Sequence, residues 1–71
     1  MNKLDLHGKT YEEAETLIED FILMNDTPFE VITGNSLQMK QVAEKYLTCY
    51  KLSSVYLNPN NLGCITVIDK L

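Results

Sequence analysis

At 71 residues the chain has room for one small domain, and with 45% apolar and 23% charged residues it has the composition of a folded protein rather than a disordered one. Six Lys and Arg against ten Asp and Glu give a net charge of −4, which excludes a general nucleic-acid-coating protein; a polyanion would have to be held locally, weakly and with a shallow salt dependence. No apolar run reaches membrane-spanning length and no apolar segment follows Lys3, so neither a span nor a secretory signal is expected, and the cytoplasm is the expected compartment.

The first strand is expected over Lys3 to Leu6, with Leu4 and Leu6 on one side and Asp5 and His7 on the other. Thr10 then predicts a helix N-cap, and Glu13 three residues later completes a capping box. Tyr11, Ala14, Leu17, Ile18, Phe21 and Ile22 recur at helical spacing and form a core-facing stripe, and Asn25-Asp26-Thr27-Pro28 stops the helix. Phe29 to Thr33 is a second strand, closed by Gly34. Asn35 or Ser36 caps a second helix, whose stripe is Met39, Val42, Ala43, Tyr46, Leu47 and Tyr50. Ser53 to Leu57 is a third strand. Asn58 to Gly63 is dense in turn residues, and Cys64 to Ile68, apolar at most positions, is expected as an interior strand.

The order is β-α-β-α-β-β. Right-handed crossovers make the first three strands parallel and place both helices on one face, while the last strand returns antiparallel. The fold class is thus α/β, a two-layer sandwich with a four-stranded mixed sheet. By alternation Ile32 and Ile68, with Cys64, point away from the helices, so a second copy or another partner is expected to cover part of that sheet face. The C-terminal ends of the first three strands share one edge, which gathers Asp5, His7 and Gly8, then Thr33 to Ser36, then Asn58 to Asn61. In open α/β sheets ligands bind at this edge.

An acid and an imidazole on one face of a strand have no obvious use in a core. Asp5 is positioned to fix the tautomer of His7 and support its charged form, as in a general-base pair. The competing use is a solvated Asp beside a His that bonds the first turn of the helix. Gly8 lets the chain turn closely into the first helix, and Thr33-Gly34-Asn35-Ser36 does the same before the second. Both turns leave unpaired amides at helix N-termini, with Lys9 and Lys40 beside them; together they point to a phosphodiester pocket. Taken singly, each turn is also what any strand-to-helix connection favours.

Cys49 and Cys64 lack metal-site spacing, and one His cannot complete a zinc tetrad, so no metal or cofactor is expected and both thiols are expected to stay reduced. Tyr11 and Tyr56 have the chemistry to stack on bases, with packing as the plainer use. The acidic series Glu12, Glu13, Glu15, Glu19 and Asp20 is a solvated helix face.

Leu4-Asp5-Leu6-His7-Gly8, followed by Thr10 and Glu13-Ala14, resembles the opening motif of the small MutS-related (Smr) domain. Val31-Ile32-Thr33-Gly34-Asn35-Ser36 with Met39-Lys40 resembles that family's second motif, and Asn61-x-Gly63 before an apolar strand resembles its closing hairpin. The likeness covers nearly the whole chain, as in a stand-alone, minimal Smr domain. It implies a fold like the C-terminal domain of bacterial translation initiation factor three, with sheet order 1-2-4-3. It also implies endonuclease activity: DNA nicking in some members, RNA cleavage in others, including mRNA at stalled ribosomes. By motif Asp5 and His7 match the residues of cleavage, and Thr33-Gly34 matches the substrate-binding turn. With the turns and lysines above, the expected substrate-binding set is Gly8, Lys9, Thr33, Gly34, Asn35, Ser36, Lys40 and Asn61. One departure is plain: the second motif usually ends in glycine where this chain has Ser36, whose side chain narrows the approach of a phosphate or donates a hydroxyl to it.

Two functions are expected from these residues. The first is a metal-independent endonuclease in which His7 is the general base and Asp5 orients it, activating a 2′-hydroxyl in RNA or a water in DNA. The second is a module of Smr type that holds RNA, a ribosome or a protein partner without cutting, favoured by the net acidity and by Ser36.

Overall fold

In a computed structural model describing residues 1–70, strands β1 (Asn2–Asp5), β2 (Phe29–Ile32), β3 (Leu52–Val55) and β4 (Cys64–Asp69) form one mixed sheet in the order β1-β2-β4-β3. β1 and β2 run parallel, and β4 runs antiparallel to both β2 and β3. Helices α1 (Tyr11–Met24) and α2 (Leu37–Cys49) complete the two-layer sandwich, in the β-α-β-α-β-β order that the sequence pattern predicts. Because β1, β2 and β3 point the same way, their C-terminal ends meet at one edge of the sheet.

The core lies between the sheet and the helices. Phe29 and Val31 of β2 pair with Val67 and Ile65 of β4, and all four side chains are buried against Ala14 and Ile18 of α1 and Met39, Ala43 and Leu47 of α2. Phe21 meets Phe29 edge-on at 5.0 Å, a favoured aromatic geometry. The two apolar strands occupy the middle of the sheet because only there are both neighbours available to cover them. Strand ends differ slightly from the sequence pattern. Leu6 still donates its N–H to the Ile32 carbonyl, but its own carbonyl accepts from Lys9, which turns the chain out of the sheet after Asp5. Thr33 leaves β2 because its N–H donates to Gly63 instead. Tyr56 and Leu57 leave β3 and are exposed.

Helix α1 starts as its local chemistry dictates. The Thr10 hydroxyl accepts from Glu13 N–H at 3.1 Å, and the Glu13 carboxylate accepts from Thr10 N–H at 2.9 Å, so two N-terminal amides are satisfied. That N–H holds the Glu13 carboxyl below its ordinary value of 4.5, with the Thr10 side chain adding to the effect. A depressed folded value means a contribution that is present above the unfolded value and disappears as pH falls through the folded one. The urea midpoint is therefore expected to drop on acidification below about pH 4.5, and less steeply in Glu13→Gln. Superimposable profiles for the two proteins would show that the box contributes nothing. Helix α2 ends without glycine: Lys51 takes φ 59° while donating its N–H to the Thr48 carbonyl.

The sheet face opposite the helices carries Lys3, Asp5, Glu30, Ile32, Ser53, Val55, Cys64, Thr66 and Ile68. Lys3 and Glu30 pair at 3.8 Å, and the Cys64 thiol lies 3.4 Å from Glu30 Oε2. Burial, then the Glu30 carboxylate, push that thiol upward in pKa, whereas Cys49 is exposed; both are free. At neutral pH iodoacetamide is expected to label Cys49 well before Cys64, since the thiolate is the reactive form. Equal labelling rates by mass spectrometry would contradict this placement.

Candidate nucleic-acid cleft

Two tight turns build the candidate site. In the first, Leu6-His7-Gly8-Lys9 closes through the Lys9 N–H to Leu6 carbonyl bond at 3.1 Å, with Gly8 at φ +78° in the position where a type II turn requires a positive φ. Asp5 Oδ1 accepts from the backbone N–H of His7 at 2.8 Å, so this carboxylate braces the turn from below. In the second, Gly34 sits at φ +67° and Ser36, rather than Asn35, is the N-cap, its hydroxyl accepting from Met39 N–H at 3.1 Å.

The second turn is held by the closing hairpin. The Gly63 carbonyl accepts from both Thr33 N–H, at 2.8 Å, and Gly34 N–H, at 3.1 Å. Gly63 itself lies so close that a Cβ there would stand 3.2 Å from the Gly34 backbone. Asn61 shapes this approach by accepting the Gly63 N–H on its side-chain oxygen at 3.2 Å. The buried Thr33 hydroxyl donates to backbone carbonyls of the same turn, to Gly34 at 3.0 Å.

Between the two turns lies a cleft of about 450 Å³. Its wall includes His7, Gly8, Lys9, Thr33, Gly34, Asn35 and Ser36, seven of the residues expected from sequence. The imidazole stands over the second turn, its Cδ2 3.9 Å from where a Cβ on Gly34 would be. Three expected residues lie elsewhere. Asp5 is behind the first turn, Asn61 acts within the hairpin, and Lys40 points its ammonium over the Tyr56 ring at 5.8 Å. Leu6, Thr10, Tyr11 and Met39 complete the wall. Tyr11 corrects an expectation: as the first residue of α1 it is 42% exposed at the cleft rather than part of the core stripe.

The first turns of both helices end here. Glu13 and Met39 amides are capped by Thr10 and Ser36, while those of the residues just before them have no intrahelical acceptor. These N–H groups and the Lys9 ammonium offer donors to an anion; Glu12 and Glu13 oppose one at the first turn of α1, whereas the first turn of α2 carries no acidic residue, so its N-terminus is the better anion site of the two. The chain's one His lines the same cleft. Among the described residues no three of His, Cys, Asp and Glu come together as a metal-ligand set, and no helix is long and apolar enough to cross a membrane. Fold and cleft together define a small two-layer α+β domain with a cleft of mixed apolar and polar lining at the C-terminal edge of its parallel strands. Compared with family models, curated proteins and solved structures, the chain matches none.

Proposed function

We propose that this chain is an Smr-type endonuclease that binds a nucleic-acid backbone in the cleft, with His7 as general base. The observation that carries the reading is the meeting of the chain's one His with Lys9 and two helix N-termini in one cleft. A phosphodiester seated there is held by Lys9 and the first-turn amides of α2 at Leu37 and Gln38, which also stabilise negative charge developing on phosphorus-bound oxygen. The Ser36 oxygen already accepts the Met39 N–H, which leaves its proton for a phosphate oxygen. Tyr11 offers a ring at the rim for an adjoining base.

A single base suits a substrate that carries its own nucleophile, and so RNA is favoured over DNA. His7 takes the proton of a 2′-hydroxyl, the 2′-oxygen attacks the neighbouring phosphorus, and the bond to the 5′-oxygen breaks as that oxygen takes a proton from water; His7 then returns its proton to solvent, leaving a 2′,3′-cyclic phosphate and a 5′-hydroxyl end. Asp5 serves as a positioning residue through the His7 backbone. Purified protein incubated with labelled single-stranded RNA is expected to yield cyclic-phosphate ends, with EDTA present as well as absent. Supercoiled plasmid tested in parallel is expected to be cut more slowly. An inert protein that still retards RNA would overturn cleavage and leave the binding module. That second reading is favoured by one observation: the Asp5 carboxylate is spent on a backbone N–H and not on the imidazole.

A further inference from the structure

We propose that the free edge of β1 forms a symmetric dimer, in which β1 pairs antiparallel with β1 of a second copy about a two-fold axis at Leu4. Among the described residues the sheet order leaves β1 without a neighbour on one side. The Leu6 N–H to Ile32 carbonyl bond and the Asp5↔Ile32 register show which backbone groups face β2. By alternation the N–H and carbonyl groups of Lys3 and Asp5 face outward, and those of Leu4 face inward.

Antiparallel pairing centred on Leu4 sets Lys3 opposite Asp5 of the other copy, twice over. These are outward-facing residues, so each couple exchanges both backbone hydrogen bonds. Their side chains share the face opposite the helices, which places an ammonium beside a carboxylate in each couple. The neighbouring registers that also use outward residues set Lys3 against Lys3 or Asp5 against Asp5, and like charges directly opposite are unfavourable. Charge at an edge ordinarily blocks pairing. Here the order Lys-x-Asp permits one self-pairing and rejects its neighbours.

The helix side of the same edge also fits a second copy. Leu4 falls at the non-hydrogen-bonded centre, where side chains approach most closely. Beside it lies a mostly apolar groove of about 330 Å³ lined by Leu4, Leu17, Phe21 and Met24, with Asp20 and Asn25 also in its wall and Met24 83% exposed. The two-fold axis carries this groove against its own copy, and the two four-stranded sheets become one. An isologous contact of this kind closes on itself and does not propagate into fibres. The other edge, β3, has the sequence Leu-Ser-Ser-Val and no such charge code.

Sedimentation equilibrium across a concentration series tests the proposal, with circular dichroism to verify folding. The wild type is expected to fit a monomer–dimer equilibrium built on an 8.1 kDa subunit. Lys3→Asp is expected to raise the dimer dissociation constant about tenfold or more, because both cross-strand couples become repulsive. The double charge reversal, Lys3→Asp with Asp5→Lys, is expected to restore dimerisation. Lys3→Pro provides a variant that keeps Asp5: it removes an outward N–H without touching the bonds to β2, and is expected to give monomer. A wild type that stays monomeric at its solubility limit would overturn the proposal. So would a dimer indifferent to Lys3→Asp and Lys3→Pro, which would place the contact on the open sheet face instead.

Discussion

Replacing His7 by alanine is expected to lower RNA cleavage about 10²- to 10⁴-fold, the range over which a positioned general base contributes. Stability should change by no more than about 1 kcal/mol, because the imidazole is exposed at a turn and fills no part of the core. The separation of these two effects distinguishes a chemical role from a structural one. Lys9→Ala provides the control for binding: loss of a phosphate contact is expected to raise KM with a smaller effect on kcat. Asp5→Asn keeps an oxygen able to accept the His7 N–H, so it is expected to cost less than Asp5→Ala. A His7→Ala protein that unfolds, or one that cleaves like the wild type, would remove His7 from the mechanism.

Gly63→Val is expected to be the most disruptive single change at the site, lowering stability by about 3 kcal/mol through overpacking. A 71-residue domain has roughly 4–10 kcal/mol in all, so much of its margin would be gone. The clash is with backbone: a Cβ on Gly63 meets Gly34 Cα and carbonyl carbon at 3.2 Å, and no side chain can rotate away to relieve it. Moving Gly34 breaks the two bonds to the Gly63 carbonyl that hold the second turn. Gly34→Ala is different in kind. Its Cβ finds only ordinary contact with His7, so the penalty is that of φ +67° for a non-glycine residue, about 1 kcal/mol. Urea denaturation of both variants checks the ranking, and a Gly63→Val midpoint equal to that of the wild type would contradict the packing described here.

What was legible in the sequence was whatever the chain decides locally. The Thr10–Glu13 box, the two core stripes and the apolar β4 depend on spacing over a few residues, and the element order with right-handed crossovers then places both strand-to-helix turns at one edge. Seven expected site residues accordingly share a cleft. The misplacements have long-range causes. Lys40 is one turn into α2, close enough in sequence to the cleft, but Tyr56 peels away from β3 and draws the ammonium aside. Asn61 reaches the site only through Gly63, a contact made when the closing hairpin folds onto the second turn. Asp5 was expected to orient a ring; the turn after it brings the His7 N–H within reach first. Tyr11 keeps helical spacing with the stripe, yet at the first position of the helix it extends past the sheet's edge.

The helices are fastened to each other unevenly. Tyr50 donates its hydroxyl to Glu19 at 2.9 Å, and that carboxylate pushes the phenol upward in pKa; Lys45 and Tyr46 each approach Glu15 at 3.5 Å. These links join the middle of α1 to the last turn of α2, and among the described bonds none joins the two first turns across the cleft. The inter-helix hydrogen bonds thus lie away from the cleft, and near it the helices are joined by core packing alone, through Ala14, Met39 and Ala43. Among the described bonds no side-chain hydrogen bond resists a small shift of the first turns, so a ligand bound between them as proposed would add a polar tie to the packing already there. Its binding should therefore slow amide exchange most in those turns and raise the unfolding midpoint with ligand concentration.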